Sequence, residues 1–206
     1  MGLFDKLFKK DNKNIKFNNE TLRAAVKEWL SDAKSAEVKY GDISNWDTSE
    51  VTDMSYVFFD AKSFNQPIDN WDVSNVNDMK YMFAVQGTES AFNQDISSWD
   101  VSNVTNMDSM FLQAISFNQD ISNWDVSNVT NMRCMFFDSA FNQDIGSWDV
   151  SNATNMGDMF SWTKNFNKNL SNWDVSNVTN CEGFSHGAFS WELPKPNFTN
   201  CNPYHS

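Results

Sequence analysis

Carboxylates recur in register along this chain. A Trp-Asp pair appears six times and sets Asp47, Asp72, Asp100, Asp125, Asp149 and Asp174 at one repeat position. Oxygen donors stacked in this way suit a hard cation such as Ca2+, or a basic partner docking along the row. Like charges on successive rungs repel, so something must offset them. The competing account is local: each Asp accepts hydrogen bonds from nearby backbone, Ser or Asn and shapes a turn. No EF-hand loop or nonapeptide Ca2+ motif is present. No metal centre or cofactor is therefore assigned; Asp72, Asp100, Asp125 and Asp149 are the candidates should Ca2+ bind. All six aspartates are expected to form the contact surface for a protein partner.

Other chemistry is sparse. The two histidines, His186 and His205, both lie near the C-terminus. No nucleophile motif, phosphate loop or zinc spacing appears. The expectation is a protein that is not an enzyme and takes no small-molecule substrate. Five Asn-x-Thr matches, at Asn103, Asn128, Asn152, Asn177 and Asn197, fit glycosylation acceptors, but they fall at one repeat position, where turn capping explains them. Phe59, Tyr81, Phe137 and Trp162 could serve a stacking surface, although nothing in the sequence groups them. Cys181 and Cys201 sit at equivalent places in adjacent units, within disulfide reach if the units stack; in a reducing compartment they stay thiols. Cys134 is left unpaired.

The elements that position these residues repeat. Trp46, Trp71, Trp99, Trp124, Trp148 and Trp173 are separated by 25, 28, 25, 24 and 25 residues, a period that means a solenoid or array. One unit reads FNQDISNWDVSNVTNMRCMFFDSA, and the longest step carries extra residues at 85–90, a loop insertion. Ile121, Trp124, Val126, Val129 and Met132 follow leucine-rich-repeat spacing with changed residues. Trp-Asp-Val alternates in, out, in, which predicts a short strand. Thr105 and Thr130 read as N-caps, and Met107, Met110 and Phe111 share one face, which predicts a helical turn. The fold class expected is thus an α/β repeat solenoid: a leucine-rich-repeat-like, right-handed coil with short parallel strands on one face and helical turns on the other.

Four segments follow. Residues 1–17 form a basic amphipathic tail, with Leu3, Phe4, Leu7 and Phe8 on one helical face among Lys6, Lys9 and Lys10. It would dock onto a membrane surface or into an assembly partner's groove, or else pack on the next helix. Residues 18–41 form a helical N-cap, with Leu22, Val26, Trp29 and Leu30 as its apolar stripe, Asn18 or Asn19 at its start and Gly41 as its stop. Residues 42–190 carry the six repeats. Residues 191–206 are a degraded seventh unit and C-cap, whose Pro194 and Pro196 blunt an open edge.

The strings WDVSNVTNM, FNQDI and NETLRAAVKEWL resemble the BspA-like leucine-rich-repeat surface proteins, over residues 18–189. That resemblance implies a solenoid used in adhesion or surface display. A net charge of −12 repels phosphate backbones and argues against nucleic acid as a partner. No signal peptide or transmembrane run is seen, so synthesis is expected in the cytoplasm, with display on a virion or cell surface. The leading functional expectation is a non-catalytic protein-recognition solenoid on a cell or particle surface, adhesin-like. The alternative is a structural component of a virion or other large assembly, docked through its N-terminal tail.

Overall fold

Turns, rather than strands or helices, build the repeated part of this molecule. The computed structural model describes residues 15–204. Two helices come first, α1 (Asn19–Ser31) and α2 (Ala33–Tyr40), followed by a short 3-10 turn, Ile43–Asn45. Six coils then begin at Trp46, Trp71, Trp99, Trp124, Trp148 and Trp173, and an abbreviated seventh at Trp191. Among the described residues the only β pairing is a run of isolated parallel bridges, Asp53 to Asp78 to Asn106 to Asn131 to Asn155 to Asn180, plus Lys16 to Asp47. The expected α/β solenoid with parallel strands and helical turns is therefore not what forms.

The reason lies in where the backbone hydrogen bonds go. Trp-Asp-Val does alternate buried, exposed, buried, yet it forms no strand. Its backbone turns instead, for example with Val129 N–H on Val126 O at 2.9 Å. Thr105 and Thr130 cap no helix; their hydroxyls donate to the preceding coil, at Asn77 O and Thr105 O. The Met-x-x-Met-Phe segment is no helical turn either. Along it, alternate N–H groups leave the coil: those of Met107, Ser109, Phe111 and Gln113 donate to the oxygens of Asn131, Arg133, Met135 and Phe137 in the next coil, at 2.7–2.9 Å. The N–H groups between them close local turns, as Met110 does on Met107 O at 3.2 Å.

This alternation requires left-handed residues. Tyr56, Asp60, Tyr81, Ser109, Gln113, Cys134, Asp138, Asp158 and Trp162 all have φ between 48° and 60°. Each costs an L-residue roughly 1–2 kcal/mol, an expense offset by pairing to the neighbouring coil. The sixth coil sends no N–H group of this segment onward to the abbreviated seventh among the described residues, and there glycine takes both places, Gly183 at φ 67° and Gly187 at φ 70°.

Side chains complete the stack. Phe58, Phe83, Phe111, Phe136 and Phe160 form one column with ring centroids 5.5–5.8 Å apart. Phe64, Phe92, Phe117, Phe141 and Phe166 form a second, at 6.0–6.3 Å. The columns touch within each coil at 3.9–4.2 Å. Each such ring withdraws an apolar side chain worth roughly 1.5–3 kcal/mol. Trp71, Trp99, Trp124, Trp148 and Trp173 are buried, and each indole N–H donates to a carbonyl one coil back. Among the described residues no buried side-chain nitrogen or oxygen lacks a partner.

The N-terminal cap works by imitation. Asn18 caps α1, taking the N–H groups of Glu20 and Thr21, while Thr21 Oγ1 accepts from Asn18 N. Asp32 ends α1 and starts α2, so the expected single helix is broken there. Gly41 stops α2 at φ 80°. Leu22, Ala25, Val26 and Trp29 are buried, whereas Leu30 of the expected stripe is exposed. Phe17, counted with the tail, is instead core and stacks on Trp46 at 4.8 Å. Asn19 Oδ1 accepts the N–H groups of Thr52 and Asp53, replacing the carbonyl that a preceding coil would offer. At the other end Cys181 and Cys201 are joined, with Cα atoms 5.8 Å apart. The insertion at 85–90 bulges outward, with Gln86 to Glu89 exposed.

Candidate functional site

Each Trp-Asp aspartate holds a turn. Asp47, Asp72, Asp100, Asp125, Asp149 and Asp174 all accept, through Oδ1, the N–H of the serine two residues on, at 3.0–3.1 Å. Ser49, Ser74 and Ser102 add their hydroxyls at 2.6 Å. The side-chain bond from serine is the first cause holding the carboxyls of Asp47, Asp100, Asp149 and Asp174 below the usual range, with the serine N–H assisting. Asp174 pushes Asp149 the other way, so neighbouring coils sense each other's charge. Local bonds thus supply the compensation that stacked carboxylates need, and each engages Oδ1. Five of the six side chains belong to exposed residues; Asp47 is half-buried.

Two further rows repeat this geometry. Asp95, Asp120, Asp144 and Asn169 accept from residues 97, 122, 146 and 171. Asp53, Asp78, Asn106, Asn131, Asn155 and Asn180 do so at the bridge position. Among the described residues no three His, Cys, Asp or Glu side chains converge as a metal-holding group. The Asn-x-Thr asparagines are structural: Nδ2 of Asn103, Asn128, Asn152 and Asn177 donates to a serine carbonyl one coil back at 2.7–2.8 Å. In the last unit Asn200, rather than Asn197, fills that role on Ser176 O.

The aromatic candidates separate into two places. Phe59 and Tyr81 do meet, edge to face at 5.9 Å, and both touch Tyr56, which lies 5.6 Å from Phe59 and stacks on Tyr81 at 5.0 Å and 7°. Tyr56 itself is 47% exposed and escaped sequence reasoning. Trp162 lies far along the stack, against His186 and Phe189, and Phe137 makes no ring contact among the described residues. The Tyr56 cluster borders a cleft lined by Arg23, Lys27, Leu30, Tyr56, Val57 and Phe59. The repeat gave no signal for it, because half its wall comes from α1. Cys134 is buried, and burial pushes its thiol up to about 11. The tail candidates Leu3, Phe4, Leu7 and Phe8 lie outside the described residues.

Together these features define a repeat protein of stacked, turn-built coils. The chain belongs to the family described as Mycoplasma protein of unknown function, DUF285, whose model matches residues 6–92, 24–139 and 122–200. No curated protein matches, and no solved structure matches. Among the described residues no helix is long and apolar enough to cross a membrane.

Proposed function

We propose that this chain is a non-catalytic recognition module whose row of Asp72, Asp100, Asp125, Asp149 and Asp174, extended by Asp47, engages a basic protein partner on the surface of a cell or particle. The supporting observation is that one oxygen of every carboxylate is tied to its own turn. The charge is thereby presented at a fixed orientation once per coil, at little further entropic cost on binding. The resemblance to BspA-like surface proteins supports display, and the acidic net charge supports a basic partner.

Asp-to-Asn substitution tests this, because asparagine keeps the Oδ1 acceptor and so keeps the turn. The full chain and a variant carrying Asn at 72, 100, 125 and 149 would be used to capture partners, identified by mass spectrometry. The expected result is a partner whose affinity for the variant falls at least tenfold and whose binding to the parent weakens with salt. Equal affinity for both proteins would refute the acidic row as the contact.

A second reading, a rigid spacer in a virion or other assembly held by the N-terminal tail, is favoured by one fact: no buried side-chain nitrogen or oxygen in the described part is left without a hydrogen-bond partner. It predicts that removing residues 1–14 abolishes stoichiometric co-purification with a particle. The cut must spare Phe17, which is core.

A further inference from the structure

The first coil is only half covered. In coil two, the carbonyl oxygens of Asp78, Lys80, Met82 and Ala84 accept N–H groups from Met54, Tyr56, Phe58 and Asp60 of coil one, at 2.8–3.0 Å. The same four positions in coil one are Asp53, Ser55, Val57 and Phe59. Arg23 of α1 replaces the missing donors at the first two: its guanidinium bonds Asp53 O at 3.2 Å and also Ser55 O. It is anchored there by Asp53 Oδ1 at 2.8 Å. The carbonyls of Val57 and Phe59 receive no donor among the described residues.

Those two carbonyls lie in residues that line the cleft with Arg23, Lys27, Leu30 and Tyr56. The cleft thus lies where a preceding coil would continue beyond the point at which α1 stops imitating it. Its chemistry is specific. Two acceptors sit two residues apart, the spacing that an extended peptide satisfies with alternate N–H groups. Leu30 and Tyr56 are exposed apolar and aromatic surface at 43% and 47%. Lys27 is an exposed cation with no carboxylate partner among the described residues, whereas Arg23 is paired with Asp53.

We propose that this cleft binds an extended, acidic peptide segment of a partner protein. Its alternate N–H groups pair with Val57 O and Phe59 O, completing the coil-to-coil ladder. An apolar side chain packs on Leu30 and Tyr56, and a carboxylate meets Lys27. A second copy of the chain stacked end to end does not fit, because α1 already occupies the first half of this end. The site stands apart from the aspartate row, and either can fail without the other.

The test uses the full chain and three capped heptapeptides: Thr-Val-Glu-Val-Glu-Val-Thr, the same with Lys for Glu, and the Glu peptide with alternate backbone nitrogens methylated to remove its donors. Binding is followed by NMR at Leu30, Val57 and Tyr56. The acidic peptide is expected to shift these three residues and to bind at least tenfold more tightly than the lysine or N-methylated forms. Lys27→Glu, an exposed substitution that leaves the fold intact, should reverse the charge preference. The proposal is overturned if no peptide shifts these residues, if Lys27→Glu leaves the preference unchanged, or if the N-methylated peptide binds equally well. It is also overturned if the acidic peptide binds only after residues 1–14 are removed, since the cleft would then be the tail's own seat.

Discussion

The indole N–H of Trp124 donates to the carbonyl oxygen of Ile96, one coil back, at 3.1 Å. Both groups are buried, so the bond has no water to substitute for it. Trp124→Phe keeps an aromatic ring but orphans the Ile96 carbonyl and leaves space. The expected loss is about 2–4 kcal/mol, read from denaturant midpoints. Because Trp46 only reaches Gly41 O within its own turn, at 3.1 Å, Trp46→Phe should cost less.

Gly187 lies against Trp162. A Cβ at Gly187 would come within 2.7 Å of Trp162 Cδ2 and Cε3, in a backbone with φ +70°. Gly187→Ala therefore adds a clash to conformational strain and should cost about 2–3 kcal/mol. Hydrogen exchange would show the damage concentrated in the last two coils, because coils stabilise their neighbours first. Uniform loss across all coils would contradict this.

The repeat itself was legible because the period is short and Trp-Asp marks every unit, and the buried Ile, Trp, Val and Met positions follow directly from it. Misreading Trp-Asp-Val as a strand has a physical origin. Period-two burial is necessary for a strand facing a core, but a sequence of tight turns produces it equally well. The helical turn failed for a related reason. Met107, Met110 and Phe111 are all buried as expected, but the turn between them needs Ser109 at φ 57°, and Ser, Tyr, Cys, Gln and Trp do not announce a left-handed backbone. Asp60, Asp138 and Asp158 carry a weak form of that signal, and Gly183 and Gly187, in the sixth coil, a strong one. The aspartate row was visible in the sequence together with its turn-shaping role. The Tyr56 cleft was not, because residues 23–30 and 56–59 meet only once α1 has folded over the first coil.

Acid should weaken the stack through the serine-held aspartates. Asp47, Asp100, Asp149 and Asp174 titrate lower folded than unfolded. Their contribution is present above the unfolded value of about 4 and is lost as pH falls through the lower folded values. Thermal midpoints from pH 7 to 2 should therefore drop below about pH 4. Replacing Ser49, Ser102, Ser151 and Ser176 by Ala should flatten that drop, since the leading cause of the shift is removed.

Reduction should act locally. The Cys181–Cys201 bond closes a segment with a sequence separation of 20, for which the chain-entropy estimate is about 3 kcal/mol. Reducing agent, or Cys201→Ser, should release the segment carrying Phe198 and Asn200 while the coils from Trp71 to Trp148 keep their exchange protection. A global collapse on reduction would show instead that the last coil holds the whole stack.

Cys134 should be silent until the protein opens. With its thiol raised to about 11 and buried, alkylation at pH 8 should be slow in the native protein and fast in denaturant. Mass spectrometry of iodoacetamide-treated samples reads this directly, and rapid native labelling would place Cys134 on the surface.

The direction of the hydrogen bonds has one more consequence. From the Met segment coils one to five give N–H groups to the next, while from the Thr-Asn segment coils two to six give them to the one before, as Thr130 N–H does to Thr105 O. Coils two to five therefore present the same lower and upper backbone faces, and in that respect they are interchangeable as neighbours. Length in such a molecule is quantised. A gene that loses or duplicates one whole unit produces a shorter or longer rod with unaltered junctions, whereas a change of a few residues must be absorbed as a bulge, as at 85–90. The two ends are fixed parts and the middle is a dial, so reach and the number of presented carboxylates can change together in single-coil steps.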